Sequence, residues 1–129
     1  MADRPLSPHL QVYRLPLLPL VSIMTRASAI ALSAGLVVFA IWLIALGMGE
    51  ASYATVTGLL TSPIGIIALI GWTFAFFWHS ANGIRHMIWD SGRGFELQVA
   101  ERSAYIVILI SVFGTAAVWL WIWTQGGAA

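Results

Sequence analysis

Three stretches of this chain are apolar and free of charge: Ala27 to Met48, Ile64 to Trp78, and Ser103 to Thr124. A helix needs about 20 predominantly apolar residues to cross roughly 30 Å of hydrocarbon. The first and third stretches meet that length, and the second meets it once extended through the sparsely charged run to Ile88. A backbone inside lipid must satisfy its own polar groups, so such stretches become helices. Only 9% of the residues are charged and 60% are hydrophobic, against about 25% charged in an ordinary soluble domain. The reading is therefore an all-α membrane protein with three transmembrane helices.

The boundaries follow from breakers and caps. Residues 1–21 contain Pro5, Pro8, Pro16 and Pro19 among Arg4, His9 and Arg14, and no long helix runs through that many prolines. The apolar run Leu15 to Val21 is too short and broken for a secretory signal, so this arm is expected to be retained and to lie along the membrane surface or a soluble partner. The first span is expected from Ser22, after Pro19, to Met48. Ala27, Ala31 and Gly35 repeat every four residues along it and permit close approach of a neighbouring helix. Gly49 to Thr61 is read as a connecting segment resting in the interface. Ser62 and Pro63 form an N-cap and first-turn proline, opening a second span to about Ile88. Asp90 to Arg102 is polar and glycine-punctuated, which predicts an exposed loop. The third span covers 103–124, and Trp119, Trp121 and Trp123 make an aromatic belt at its far end. The transmembrane domain is thus 22–124, between the arm and a tail at 125–129.

All six basic residues are arginine. Arg85, Arg93 and Arg102 flank the second loop, Arg4 and Arg14 lie in the arm, and neither 49–61 nor the C-terminus holds any. The positive-inside rule then places the N-terminus and second loop in the cytoplasm and the C-terminus on the opposite side. A net charge of +1 offers no footprint for nucleic acid. The absence of cysteine removes disulfides and iron–sulfur ligation from this chain. Three spans without internal duplication, and without an intramembrane carboxylate, make a poor transporter. A small subunit of a larger complex fits better.

Chemistry concentrates where the second span leaves the hydrocarbon. His79 and His86 are seven residues apart, close to two helical turns, so they share one face about 10 Å apart along the axis. His79 lies about 7 to 10 Å below the cytoplasmic boundary, a depth that suits a haem axial ligand whose propionates reach the interface. A hydrogen bond to a neighbouring helix is the plain alternative. His86 cannot ligate the same iron, because two side chains on one helix face cannot approach it from both sides. It is better placed for an interfacial or propionate contact. His9 lies in the arm, so a six-coordinate haem requires its second ligand from another subunit. Gly83, four residues after His79, lets a flat macrocycle approach the backbone. Arg26, one turn inside the expected start of the first span with Ser22 four residues before it, either snorkels to headgroups or acts as a cation for a propionate or a quinone. Ser22 would supply a hydroxyl to a carbonyl oxygen, and both sites would share one cytoplasmic-side pocket.

These residues carry a family resemblance. The run HSANGIRHMIWDSGRG, His79 to Gly94, closely resembles the H-x-x-x-G-I-R-H-x-x-x-D signature of the cytochrome b556 subunits of succinate dehydrogenase, a family of respiratory membrane anchors. RPLSPHLQVYRLP, Arg4 to Pro16, resembles the family's N-terminal signature, and SIMTRAS, Ser22 to Ser28, its S-x-x-H-R-x-S-G segment. The resemblance implies half of a heterodimeric haem-binding anchor bundle in the inner (cytoplasmic) membrane, within succinate:quinone oxidoreductase, respiratory complex II. It implies haem b with His79 as the axial ligand to iron, Ser22 and Arg26 at the quinone site, and Arg26 near a propionate. The implied partners are a second small anchor subunit supplying the opposing histidine, an iron–sulfur subunit and a flavoprotein subunit. Succinate oxidation itself is not expected of this chain. Thr25 stands where many members have histidine, and Ala29 where they have glycine. Arg85, Asp90, Arg93 and the arm are the candidate docking surface, by location. The rivals are a haem-free quinone anchor of the fumarate reductase type and a small channel or transporter subunit.

Overall fold

A computed structural model describes residues 15–126, and these form four helices: α1 (Leu17–Met48), α2 (Glu50–Leu60), α3 (Pro63–Asp90) and α4 (Leu97–Gly126). Helices α1, α3 and α4 are each long and apolar enough to cross a membrane. The central helix is α3, which packs against both α1 and α4, and these two also touch each other. The arm through Arg14, with His9, and the last three residues lie outside the described residues.

α1 begins five residues before the expected Ser22 and contains Pro19. A proline is free to sit there because the first four helical N–H groups have no acceptor within the helix. The ladder starts at Leu20, whose N–H reaches the Pro16 carbonyl at 3.3 Å. Arg26 is consequently more than two turns inside the helix rather than one. At the other end Gly49 adopts a φ of +110°, a backbone state that side-chain-bearing residues rarely take, and the chain passes straight into α2. The segment expected to be an interfacial connection is thus an 11-residue helix. Glu50 favours its positive N-terminus, and Trp42 of α1 ties it down by donating to Thr57 Oγ1 at 3.2 Å.

The Ser62–Pro63 cap has the expected form, with Ser62 Oγ accepting from the Gly65 N–H at 3.2 Å. Gly65 is needed because a Cβ there would run into the Leu60 carbonyl. α3 continues to Asp90, and a short turn leads into α4, which starts at Leu97 instead of Ser103. The charged residues Glu101 and Arg102 lie on its first turns, exposed. Hydropathy marks where hydrocarbon begins, whereas a helix continues into the polar interface, so the loop is shorter than the charge pattern implied.

Packing is concentrated near the α3–α4 turn, where Val21, Trp78, Ala81, Ala104 and Val107 form the buried cluster. Small residues on α3 and α4 let the three axes approach there. Gly114 lies against the Phe77 ring and Gly35 against the Trp72 indole. Of the small-residue repeat on α1, only Gly35 meets a neighbour in this way; Ala27 and Ala31 are exposed. Trp119 is pinned inward by a bond to Thr73 Oγ1, while Trp121 and Trp123 face outward. Large aliphatic and aromatic side chains such as Ile30, Leu36, Ile64, Ile67 and Phe113 are also exposed, as expected of surfaces that meet lipid or other helices.

Candidate functional site

On α1, Val21, Thr25 and Ser28 follow a four- and three-residue spacing and share the face turned to α3. On α3, Trp78, Asn82, Arg85 and Trp89 recur at four, three and four residues and share the answering face. Between them runs a polar network inside an otherwise apolar contact. Thr25 Oγ1 accepts from Trp78 Nε1 at 3.2 Å and from Asn82 Nδ2 at 2.8 Å. It donates its own proton to the Val21 carbonyl at 2.8 Å. Asn82 Oδ1 accepts from Arg85 Nη1 at 3.2 Å, and Arg85 reaches α4 with Nε on Ser103 Oγ at 2.8 Å and Nη2 on the Ala100 carbonyl at 3.0 Å. The guanidinium carbon lies 4.1 Å from the centre of the Trp89 ring, a stacking that a planar delocalised cation favours.

Arg85 is only 6% exposed, so it is not part of a docking surface. Its place on the interior face of α3 turns it between α3 and α4, whereas Asp90 and Arg93 are exposed. Reading Arg85 by its neighbours in sequence missed this. The spacing of Trp78, Asn82, Arg85 and Trp89 was the available signal, because it marks one helical stripe.

His79 stands beside that network, half-buried, with Nδ1 3.1 Å from Ser28 Oγ of α1. Among the described residues Nε2 makes no hydrogen bond. A Cβ built on Gly83, one turn further, meets nothing within 4 Å, so among the described residues this side of α3 is open. His86 lies exposed on the same side of the helix, its ring edge-on to Trp89 with centroids 5.1 Å apart. No cluster of three or more histidine, cysteine or acidic side chains capable of holding a bare metal ion occurs among the described residues.

Arg26 Nη1 donates to Ser22 Oγ at 3.2 Å, and both residues are exposed. Among the described residues they lie on another side of α1 from the contact with His79. Two residues on an α-helix turn through about 200°, so Arg26 points about 160° away from Ser28, the residue that meets His79. Thr25, beside Arg26, is instead part of the inter-helix contact.

The family described as succinate dehydrogenase/fumarate reductase transmembrane subunit matches residues 2–118 of this chain. The succinate dehydrogenase cytochrome b556 subunit of Paracoccus denitrificans is 43% identical over 110 residues, 85% of each chain. That of Rickettsia felis is 32% identical over 117 residues, 91% of each. The mitochondrial succinate dehydrogenase cytochrome b560 subunit of Sus scrofa is 37% identical over 116 residues, 88% of this chain and 69% of the pig protein. With three membrane-length helices in one bundle and these relatives matched over most of its length, the chain is a multi-pass membrane protein belonging to the succinate dehydrogenase cytochrome b556 family of transmembrane subunits.

Proposed function

We propose that this chain is the haem-carrying membrane anchor of a succinate:quinone oxidoreductase, with His79 supplying one axial ligand to haem b and Ser22 with Arg26 forming part of the quinone site. The observation that carries the reading is His79 itself: an imidazole held at Nδ1 by Ser28, its Nε2 without a hydrogen bond among the described residues, on an open side of α3. The residues present fit a haem better than a bare ion. A porphyrin brings its own four nitrogens and asks a protein for only one or two further donors, and one imidazole with no donor cluster around it among the described residues matches that demand.

When bound, haem b offers a one-electron store between the iron–sulfur subunit and quinone. His79 would hold the iron from this chain, Gly83 would leave room for the macrocycle, and a second anchor subunit would cover this face and contribute a further histidine. His86 is available to a propionate at the interface. Arg26 and Ser22 offer hydrogen-bond donors to a quinone carbonyl oxygen, and the arginine charge favours electron density arriving there. Because Arg26 faces away from Ser28, the quinone role suits it better than a propionate contact. The N-terminus and α3–α4 turn are cytoplasmic in this reading, on the arginine distribution, with Asp90 and Arg93 toward the soluble iron–sulfur and flavoprotein subunits.

The test is a reduced-minus-oxidised spectrum and subunit inventory of the gently solubilised complex. A b-type spectrum that disappears or shifts in His79→Ala, with flavoprotein and iron–sulfur subunits co-purifying, is the expected result. Haem content and spectrum unchanged in His79→Ala would remove the assignment. A complex without haem would leave a quinone anchor only.

A further inference from the structure

We propose that Ser28 is a positioning residue that sets the proton on His79, an assignment that rests on the haem reading above. A serine hydroxyl has a single proton to give. Ser28 gives it to the Thr25 carbonyl at 2.7 Å, one helical turn back on α1. At its 3.1 Å contact with His79 the same oxygen is therefore an acceptor, and Nδ1 must carry the hydrogen. A neutral imidazole protonated at Nδ1 has its lone pair on Nε2, the form that ligates metals. The serine thus holds the ring in the tautomer and orientation that iron requires before any cofactor is present.

The arrangement also affects the electronics. An oxygen that is itself donating becomes a better acceptor, and an acceptor on Nδ1–H makes the imidazole a stronger donor to its metal. A stronger donor favours ferric over ferrous iron and lowers the reduction potential. Ser28 is 6% exposed, so water has little access to replace it. The chain Thr25 carbonyl, Ser28 hydroxyl, His79 imidazole joins α1 to α3 next to the Trp78–Thr25–Asn82 contact, which holds the two helices at that separation.

The experiment compares Ser28→Ala with Ser111→Ala in the whole purified complex, reading subunit composition, haem per complex and haem midpoint potential. Ser111 is an equally buried serine on α4 whose hydroxyl bonds only to the Val107 carbonyl of its own helix, so it controls for loss of a buried hydroxyl. Losing a partner on a metal-bound histidine typically costs about tenfold or more in metal affinity. A tenfold change in ferric preference corresponds to about 59 mV for a one-electron couple. Ser28→Ala is expected to assemble and to show a potential raised by about that amount, or to lose haem from an intact complex, while Ser111→Ala matches wild type. An unchanged potential at full haem content, an equal shift in Ser111→Ala, or disassembly of the anchor in Ser28→Ala overturns the positioning role. A wild-type complex with no b-type haem overturns the haem reading and this inference together, and so differs from those outcomes.

Discussion

Replacing Thr25 by valine is the sharpest test of the α1–α3 contact, because valine keeps the shape and removes one oxygen. That oxygen accepts two buried donors, Trp78 Nε1 at 3.2 Å and Asn82 Nδ2 at 2.8 Å. Asn82 is 1% exposed and Trp78 is buried, so neither donor gains water when the oxygen goes. A buried donor left unsatisfied costs about 1–3 kcal/mol, which for two donors is about 2–6 kcal/mol. Inter-helix hydrogen bonds in membrane proteins measure lower, averaging about 0.6 and reaching about 1.7 kcal/mol, or about 1.2–3.4 for two. The ranges overlap at about 2–3 kcal/mol, and the upper part of the membrane range applies because one acceptor serves both donors. Valine and threonine differ little in helix propensity, and the Thr25 backbone carbonyl that Ser28 uses is retained. Unfolding of the purified complex by denaturing detergent, followed by helical circular dichroism, would give the difference. Thr55→Val is the control, since Thr55 is exposed and bonds only to the Ala51 carbonyl of its own helix. Equal, small losses in both variants, below about 0.5 kcal/mol, would mean that the Thr25 oxygen holds nothing across the interface.

Three further outcomes follow from the same geometry. Gly114→Ala places a Cβ 2.8 Å from the Phe77 ring and is expected to destabilise by about 1–3 kcal/mol, whereas Gly71→Ala meets nothing and should leave detergent stability unchanged or slightly raised. Arg85→Met removes three hydrogen bonds, leaves Asn82 Oδ1 without its donor, and should lower anchor stability by about 1–3 kcal/mol; exposed Arg93→Met should stay within about 0.5 kcal/mol. Equal thermal shifts in the two would contradict the interior role of Arg85. Arg26→Leu should impair quinone reduction by about tenfold or more, the scale of lost electrostatic stabilisation, while succinate oxidation with a soluble artificial acceptor is retained; equal loss in both assays would indicate misassembly.

Much about this protein is settled by local chemistry. Uncharged apolar length dictates membrane helices, because lipid offers the backbone no other partner, and Ser62–Pro63 starts α3 where a cap and a first-turn proline must. The same applies to His79 as an unusual polar residue inside a span, since its cost in hydrocarbon is visible without any contacts. Helix ends were less legible. Pro19 is harmless in a first turn and Glu101 and Arg102 are harmless outside hydrocarbon, so neither stops a helix.

Which side of each helix meets which neighbour belonged to the tertiary structure alone. Arg85, flanked by Ile84 and His86, is as consistent with a surface as with an interior; packing of α3 against α4 buries it. Thr25 and Ser28 lie more than fifty residues from Trp78, Asn82 and His79, and Arg26 beside them turns away. Sequence spacing sets angles around one axis, but only the approach of a second axis decides which angle is inside, and hydrogen-bond partners across that gap are fixed by distance in space.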